Sequence, residues 1–317
     1  MKKRLDDSVA VLIPSYDRPE MLEITLPRWF EAKCVKKVFV VAQSSSPDIL
    51  KKYKEALVKF MKKGNIVYKL VPRRLGSVGA RNVLLNMVRK ESCKYALMVD
   101  DDHLWSNENC LDIMTSDLES DNNVGAIGGR VIVNGRREDP DFFLNHPLNL
   151  ADLLSKLTGY VFLDIKHGPR YSQFLTPFFM VRKEILDENV RYNTSFDVPT
   201  GFREESDFQL RIRDLGYKLL HDPRIHIIHL ATETGGNRPK MNMGKRMYWK
   251  ARNHTIFIFE WNGKIINRIW YIALCMLILC LYRPWHLLSI VKGVNDGMRF
   301  AKQYTLNERT IDDNRSS

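Results

Sequence analysis

Cysteine is scarce in this chain of 317 residues: five are present, and no pair has the spacing of a zinc-binding motif. The sequence therefore supports neither a disulfide framework nor a structural metal site, and reduced intracellular thiols are expected. The cysteines are Cys34, Cys93, Cys110, Cys275 and Cys280.

The sequence also lacks internal repeats, low-complexity linkers and a secretory signal. The apolar run Val9–Pro14 is too short for a signal core, so we expect a cytoplasmic location. The uncharged stretch Ile269–Tyr282 has 14 residues. As a helix it would reach about 21 Å, short of the roughly 30 Å hydrocarbon core of a bilayer. A buried core helix and a segment that contacts a membrane surface both fit this stretch.

Basic residues are in excess, and the excess is concentrated near the C-terminus. The chain has 49 Lys and Arg against 37 Asp and Glu, a net charge of +12. Residues 240–317 alone hold 13 Lys and Arg against 5 Asp and Glu, a net of +8. This charge favours a polyanionic partner, and nucleic acid, an anionic membrane surface and a phosphorylated substrate are the three candidates.

Short apolar strands alternate with helical patterns in the first half of the chain, followed by further strands and a helix. This alternation predicts an α/β fold with a mostly parallel sheet flanked by helices, in which ligands bind at the carboxyl ends of the strands. The predicted strands are Val9–Ile13, Val38–Ala42, Ile66–Val71, Tyr95–Val99, Gly125–Val133, Phe178–Val181, Tyr217–His221 and Arg224–Leu230. The predicted helices are Glu20–Phe30, Pro47–Lys62, Ala80–Arg89 and Glu204–Leu215.

Two further predictions concern the later part of the chain. Phe208, Ile212 and Leu215 should form the buried stripe of the last predicted helix. A turn at Gly235–Asn237 marks the predicted boundary between a catalytic domain, residues 1–236, and a helical C-terminal region, residues 237–317.

Three consecutive aspartates, Asp100–Asp102, directly follow a predicted strand. Adjacent carboxylates repel one another, and a hard cation such as Mg²⁺ or Mn²⁺ would relieve the repulsion while bridging to substrate phosphates. A solvated acidic turn is the alternative. His229, near the end of the last predicted strand, is favoured over His226 as an additional ligand.

A glycine-containing loop, Gly76–Asn82, leads into a predicted helix. Glycine allows close approach of the backbone, and a helix start favours phosphate. Arg73, Arg74 and Arg81 supply charge that can pair with a diphosphate. This loop lacks the spacing of the common nucleotide-binding fingerprints.

Taken in order, these features resemble the family 2 glycosyltransferases of GT-A fold. The similarity spans roughly residues 8–236 and includes a late histidine at His229. The matching segments are Val9–Pro19 as the opening strand and turn, Gly76–Asn82 as G-x-x-x-A-R-N, Tyr95–Asp102 as the strand into the D-x-D motif, and Glu204–Phe208 with Arg211, Gly216 and Tyr217 as the E-D-x-D-L…R…G-Y block.

The resemblance implies transfer of a sugar, with inversion, from a nucleotide-diphosphate donor to an acceptor hydroxyl. Glu205 is the implied base, and Glu204 or Asp207 would orient the acceptor or the base. The implied ligands of Mg²⁺ or Mn²⁺ are Asp100, Asp102 and His229. The implied donor-binding residues are Pro14, Ser15, Tyr16, Asp17, Arg18, Gln43, Gly76, Arg81, Asp100 and Asp101.

Two positions depart from the family pattern. Gln43 stands near the place of an aspartate that contacts the nucleotide base; its amide can hydrogen-bond a base edge, and which base it selects is open. The base position has Glu205 rather than Asp, which extends its reach by one methylene.

The C-terminal region is similar to one that many of these enzymes carry, with Tyr248–His254 resembling a Y-x-x-R-N segment. Tryptophans among basic residues are typical of a membrane interface, so we expect peripheral attachment to the inner face of the cell membrane and a lipid-linked or polysaccharide acceptor. A helical subdomain packed on the sheet is the alternative. The tryptophans are Trp249, Trp261, Trp270 and Trp285.

Three other functions compete with this one. A sugar-nucleotide nucleotidyltransferase would carry a Gly/Arg signature close to its first strand, where this chain has Ser15–Arg18. An inactive scaffold of the same fold is disfavoured by the intact carboxylates. A nucleic-acid-binding module would interleave basic and aromatic residues on an exposed face, whereas this basic region includes an uncharged run, so no nucleic-acid partner is expected.

Overall fold

The computed structural model describes residues 8–62, 64–105, 109–134, 139, 141–145, 150–159, 161, 163–199, 201–230 and 241–316. The chain divides into two compact units. The first consists of residues 1–156, 160–197 and 204–237, and the second of residues 157–159, 198–203 and 238–317. The predicted boundary turn at Gly235–Asn237 lies outside the described residues.

The first unit is a nine-stranded sheet flanked by helices. Its strands are β1 (Val9–Tyr16), β2 (Val35–Gln43), β3 (Ile66–Val71), β4 (Tyr95–Met98), β5 (His103–Trp105), β6 (Val124–Val133), β7 (Arg170–Ser172), β8 (Phe179–Arg182) and β9 (Lys218–His229). Its helices are α1 (Pro19–Glu31), α2 (Pro47–Met61), α3 (Gly76–Val88), α4 (Cys110–Ser120), α5 (Leu150–Thr158, which enters the second unit at its last two residues), α6 (Lys183–Asp187) and α7 (Glu204–Asp214).

The sheet order is β3-β2-β1-β4-β8-β6-β9-β5, and β7 pairs with β9. The four strands β3, β2, β1 and β4 are all parallel, and β8 joins them to the second half of the sheet in antiparallel direction. Val9–Ile13 is completely buried, as a central parallel strand covered on both faces requires. The α/β fold with a mostly parallel sheet, which the strand and helix pattern predicted, is confirmed.

Four predicted details were wrong. β1 continues past Pro14, because β4 pairs with it only as far as Leu12 and a proline is tolerated where one side of the ladder is unpaired. Two predicted strands form the single strand β9, because a register shift opposite Gly128–Arg130 accommodates the segment with Pro223. The helix α3 starts at Gly76 rather than Ala80, and Leu215 is exposed rather than part of the buried stripe.

Within the part that the structure describes, the second unit has three helices and a short 3₁₀ turn. The helices are α8 (Met243–Trp261), α9 (Ile265–Tyr282) and α10 (Leu287–Ser316), with the turn at Pro284–His286. α10 approaches α8 closely at Gly293, where an added Cβ would lie 2.3 Å from the carbonyl oxygen of Tyr248. α9 packs against both α8 and α10.

Candidate active site

Residues from three strand ends meet at the carboxyl edge of the parallel half of the sheet. β1 ends with Ser15 and Tyr16, and Tyr16 is in register with Gln43 at the end of β2. Asp100 follows the end of β4, and Arg81 on α3 pairs with it. A parallel sheet places its ligand site at this edge.

The three aspartates after β4 are not a solvated turn. Asp101 and Asp102 are buried, and Arg18 forms ion pairs with both, through Nη2 to Asp101 Oδ1 and through Nη1 to Asp102 Oδ2 at 2.9 Å. Asp100 is 35% exposed and its Oδ1 lies 2.8 Å from Arg81 Nη2. Two guanidinium groups from different segments therefore compensate three adjacent carboxylates.

Asp101 is held by a chain of hydrogen bonds. The N–H of Arg18 donates to the Tyr53 hydroxyl at 2.8 Å, that hydroxyl lies 2.7 Å from Ser15 Oγ, and Ser15 Oγ donates to Asp101 Oδ2 at 2.6 Å. Because the single Ser15 proton goes to the carboxylate, Tyr53 is the donor to Ser15. Burial raises the pKa of Asp101 to about 7, although Arg18 beside it favours the charged form. Ser15 therefore orients a buried carboxyl of the cluster.

Asp102 lies beside two histidines that face each other across β5 and β9. His229 Nε2 is 3.3 Å from Asp102 Oδ2, and His103 is in register with His229. One ligand atom from each of the three lies within 4.8 Å of the others. Burial opposes ionisation of Asp102, but the hydrogen bond from His229 and the neighbouring His103 and Arg18 hold its pKa below its ordinary value.

His103 enters this group with a defined tautomer. The N–H of Asp100 donates to His103 Nδ1 at 3.1 Å, so in the neutral ring the proton is on Nε2. A protonated ring nitrogen cannot bind a cation, and Nε2 lies 3.9 Å from Asp100 Oδ2. His103 is therefore a hydrogen-bond donor toward the carboxylates. His229 Nε2 lies beside Asp102 Oδ2, and a cation bound there would take the place of the proton that Nε2 shares with that oxygen.

The donor set fits a hard divalent cation. Asp102 Oδ1 is buried and has no hydrogen-bond partner within the described residues. A carboxylate oxygen with an imidazole nitrogen beside it suits Mg²⁺ or Mn²⁺. Asp100, the third predicted ligand, lies outside the group of three and is engaged by Arg81.

Arg81 is buried and joins the end of β4 to the start of α7. Its Nη2 lies 2.8 Å from Asp100 Oδ1, and its Nη1 lies 2.6 Å from Glu205 Oε1 and 3.8 Å from Glu204 Oε1. Burial works against the cation, but Glu205 and Asp100 raise the pKa of Arg81 above its ordinary value. Three predicted site carboxylates thus surround one guanidinium.

The acidic residues of α7 occupy different environments. Glu204 is buried, its Oε2 has no partner within the described part of the chain, and burial together with Glu205 raises its pKa to about 8. The Glu205 side chain is 18% exposed. Asp207 is fully buried and accepts two hydrogen bonds from Arg211 one turn later. Asp207 thus belongs to an ion pair along α7, while the cluster around Arg81 includes Glu204 and Glu205.

Two contacts that the sequence reasoning missed fix Arg81 in place. The Tyr192 ring stacks on Phe208 with centroids 4.3 Å apart, and the Arg81 guanidinium carbon lies 5.5 Å from the Tyr192 centroid. The Asn82 side chain both donates to and accepts from the Tyr192 backbone, at 2.9 Å each. Tyr192 lies in an irregular segment without periodicity, so no local pattern could have identified it.

Gln43 is already engaged by the loop that precedes α3. Its Oε1 accepts from the Leu75 N–H at 2.7 Å, and its Nε2 donates to the Gly76 carbonyl at 3.3 Å. The side chain is fully buried. A hydrogen bond from Gln43 to a nucleotide base would require these two bonds to break, so the geometry favours a role in positioning the loop.

The remaining predicted donor residues lie at the end of β1 and on the turn that follows it. Pro14 is buried within the strand, and Asp17 has a left-handed backbone (φ 55°) with its N–H donating to the Gln43 carbonyl. The Arg74 guanidinium carbon lies 5.9 Å from the Tyr16 ring centroid, and Arg74 itself is exposed. An aromatic ring and a cation are therefore available at this edge.

The start of α3 is occupied by a carboxylate of the chain itself. Asp197 accepts a hydrogen bond from the Val78 N–H, and a Cβ added at Gly76 would lie 1.9 Å from Asp197 Oδ1. Gly76 also has φ +76°, a conformation that favours glycine. Glycine is thus required here for two reasons, and a phosphate at this helix start would have to displace Asp197.

Gly76→Ala is expected to destabilise the fold by about 2–4 kcal/mol, because backbone strain and the clash with Asp197 add. Gly216→Ala is the matched control: Gly216 has φ +91° and nothing within 4 Å of an added Cβ, so it tests strain alone, about 1–2 kcal/mol. Denaturant unfolding measures both. Equal losses in the two variants would show that the contact with Asp197 is not restrictive.

Comparison with known proteins identifies the family and the fold. A sequence model described as glycosyl transferase family 2 matches residues 10–190. The mannosyltransferase PcManGT from Pyrobaculum calidifontis, solved in complex with GDP-Man and Mn²⁺, has a TM-score of 0.55 at 17% identity, covering 96% of this chain and 79% of that chain. S. aureus TarS 1–349 has a TM-score of 0.52 at 14% identity, covering 95% and 92%. No curated protein sequence matches the chain. At these identities the two structures establish the GT-A fold alone.

Proposed function

Since the chain belongs to glycosyl transferase family 2, we propose that it moves a sugar, with inversion, from a nucleoside-diphosphate donor to an acceptor hydroxyl. Sugar transfer from a nucleotide sugar is the activity that family membership supports. The stereochemistry, the metal and the assignment of individual residues are the proposed part.

The observation that carries the proposal is the arrangement around Arg81. Its guanidinium contacts Asp100, at the strand end where a donor would lie, and Glu205, the partly exposed carboxylate at the start of α7. A base must lie within reach of the hydroxyl that attacks the donor. Because Arg81 contacts both Asp100 and Glu205, it holds the donor end of the site and the candidate base next to each other.

Glu205 is the proposed base that takes the acceptor proton. It is the more accessible of the two glutamates, and the bond to Arg81 fixes its direction. Glu204, with its pKa raised to about 8 by burial, holds its proton at neutral pH and supports α7 from inside. Asp207 has the supporting role of holding Arg211.

Asp102 and His229, with Asp100 beside them, are the proposed ligands of Mg²⁺ or Mn²⁺. A bound cation would neutralise the negative charge that develops on the diphosphate as it leaves. Arg18 and Ser15 hold Asp101 and Asp102 at the same edge, and Arg81 adds positive charge there. Pro14, Tyr16, Asp17, Gln43 and Gly76 are proposed to shape the donor site.

The proposed acceptor is a lipid-linked saccharide, a polysaccharide or a glycan, met at the cytoplasmic face of the cell membrane. Support comes from the basic C-terminal region and its apolar helix α9. The sugar and the nucleotide are left to experiment.

A panel of nucleoside-diphosphate sugars, each with and without Mn²⁺, tests the proposal by thermal shift and calorimetry. One donor is expected to raise Tm in the presence of Mn²⁺, and Asp102→Asn should weaken the Mn²⁺-dependent binding by tenfold or more, since it removes a charged ligand. Asp112→Asn, an exposed carboxylate in the first turn of α4, is the control. Undiminished Mn²⁺-dependent binding by Asp102→Asn would contradict the assignment of the ligand.

A further inference from the structure

Helix α9 and the residues after it expose large apolar side chains in an unusual concentration. Only 11% of the residues of Ile265–Tyr282 are buried, and the helix is long and apolar enough to cross a membrane by length and composition. The side chain of Trp285 is 89% exposed and that of Leu288 is 85% exposed. Six of these residues, here called the apolar surface, are Ile266, Ile269, Leu277, Leu281, Trp285 and Leu288.

The packed side of α9 is narrow. Cys275 and Leu279, one turn apart, are its buried residues, and α9 packs against α8 and α10. A helix with so few buried residues is not the core helix of the second unit. An exposed apolar area of this kind marks an interaction site.

The charge around the apolar surface has one sign. Residues 261–295 contain no Asp or Glu, whereas Lys264 and Arg283 flank α9 and Lys292 follows on α10. All three are exposed. Cations beside apolar and aromatic side chains suit the headgroup region of a membrane with anionic lipids.

The packing of α9 also distinguishes between a helix that lies on the membrane surface and one that spans the membrane. At about 1.5 Å per residue, the 18 residues of α9 extend roughly 27 Å, just under the hydrocarbon thickness of about 30 Å. α9 packs against α8, which carries Lys245, Arg246 and Lys250 and could not follow it into hydrocarbon. A helix with a polar neighbour on one side and apolar residues on the other lies in the plane of the interface.

We propose that the apolar surface attaches this chain to the surface of a bilayer that contains anionic lipids, with α9 in the interface plane. Apolar burial supplies the attachment, and Lys264, Arg283 and Lys292 supply the preference for negative headgroups. The proposal concerns binding alone and does not depend on the proposed sugar transfer.

Vesicle co-sedimentation of the full chain tests it. Vesicles of phosphatidylcholine with phosphatidylglycerol are expected to bind at least about tenfold more tightly than phosphatidylcholine alone, since each cation near an anionic surface contributes severalfold. Leu281→Ser/Trp285→Ser/Leu288→Ser should weaken binding by at least about tenfold. Ile24→Ser/Val58→Ser/Met61→Ser removes three exposed apolar side chains from α1 and α2 and should bind like the parent chain.

Lys264→Gln/Arg283→Gln/Lys292→Gln should remove the preference for phosphatidylglycerol, whereas Lys51→Gln/Lys52→Gln/Lys54→Gln, on the exposed side of α2, should retain it. The proposal would be overturned by a parent chain that binds neither kind of vesicle. It would equally be overturned by bound protein that resists both high salt and alkaline carbonate, which indicates a span. Self-association without lipid that the Leu281/Trp285/Leu288 variant abolishes, with no vesicle binding, would instead assign the surface to a second copy of the chain.

Discussion

Glu205→Gln is expected to lower the rate of sugar transfer by about 10³-fold while donor binding persists, because an amide cannot accept a proton at neutral pH. The amide oxygen can still accept the hydrogen bond from Arg81 Nη1, which lies 2.6 Å from Glu205 Oε1 in the parent chain. The guanidinium therefore keeps its neighbour, and the loss reports on proton transfer rather than on folding. Steady-state transfer rates and donor calorimetry, made on the same preparation, separate the two effects.

Three further variants test whether Glu205, rather than another carboxylate, is the base. Glu20→Gln removes an exposed first-turn carboxylate from α1 and should leave transfer unchanged. Glu204→Gln should cost less than about tenfold, because burial raises the pKa of Glu204 to about 8 and the amide resembles the neutral acid. Glu205→Asp should retain partial transfer, with its carboxylate drawn back by one methylene. Full activity of Glu205→Gln, or a larger loss in Glu204→Gln, would move the base away from Glu205.

The first half of the fold could be predicted from the sequence because its elements are locally determined. β3 has the predicted bounds, Ile66–Val71, and α2 ends one residue before the predicted position. Continuous apolar runs predict the strands and an amphipathic pattern predicts the helix, and neither depends on the rest of the chain. The errors arose where pairing with neighbouring strands determines the bounds of a strand, as at Pro14 in β1 and along β9.

The residue types of the candidate site were also visible in the sequence, but their pairings were not. Arg81 and Glu205 are separated by 124 positions and Ser15 and Asp101 by 86, so only the folded sheet brings each pair together. The prediction for Arg81 was a contact with a diphosphate, and the structure pairs its side chain with Asp100 and Glu205. His103 directly follows the aspartates and was within reach of sequence reasoning, since a histidine next to a candidate metal motif is itself a candidate.

Arg81→Met is expected to reduce the free energy of unfolding at neutral pH by about 3 kcal/mol, the lower end of the cost of breaking a buried ion pair, because Arg81 is buried while its partners Asp100 and Glu205 are only partly buried. Asp100 and Glu205 would each lose a bond shorter than 3 Å. Methionine fills most of the volume along Tyr192, so the loss is electrostatic rather than a cavity. Arg28→Met, which breaks an exposed pair with Glu31, should cost less than about 1 kcal/mol.

The pH dependence of this loss identifies its cause. In the parent chain, burial opposes ionisation of Asp100, but Arg81 holds its pKa below the ordinary value, so this contribution is present above the ordinary carboxyl pKa and is lost as the pH falls. Without Arg81 the buried carboxyls should have raised pKa values, so the variant should lose stability as the pH rises. The difference in the free energy of unfolding between the two chains should therefore be larger at pH 8 than at pH 5, as measured by denaturant unfolding.

Arg81→Met/Glu205→Gln should recover part of the loss, because one of the carboxylates left without a cation is then neutral. A loss that is the same at both pH values, and that the second substitution does not relieve, would mean that Arg81 stabilises the fold by packing rather than by joining Asp100 to Glu205.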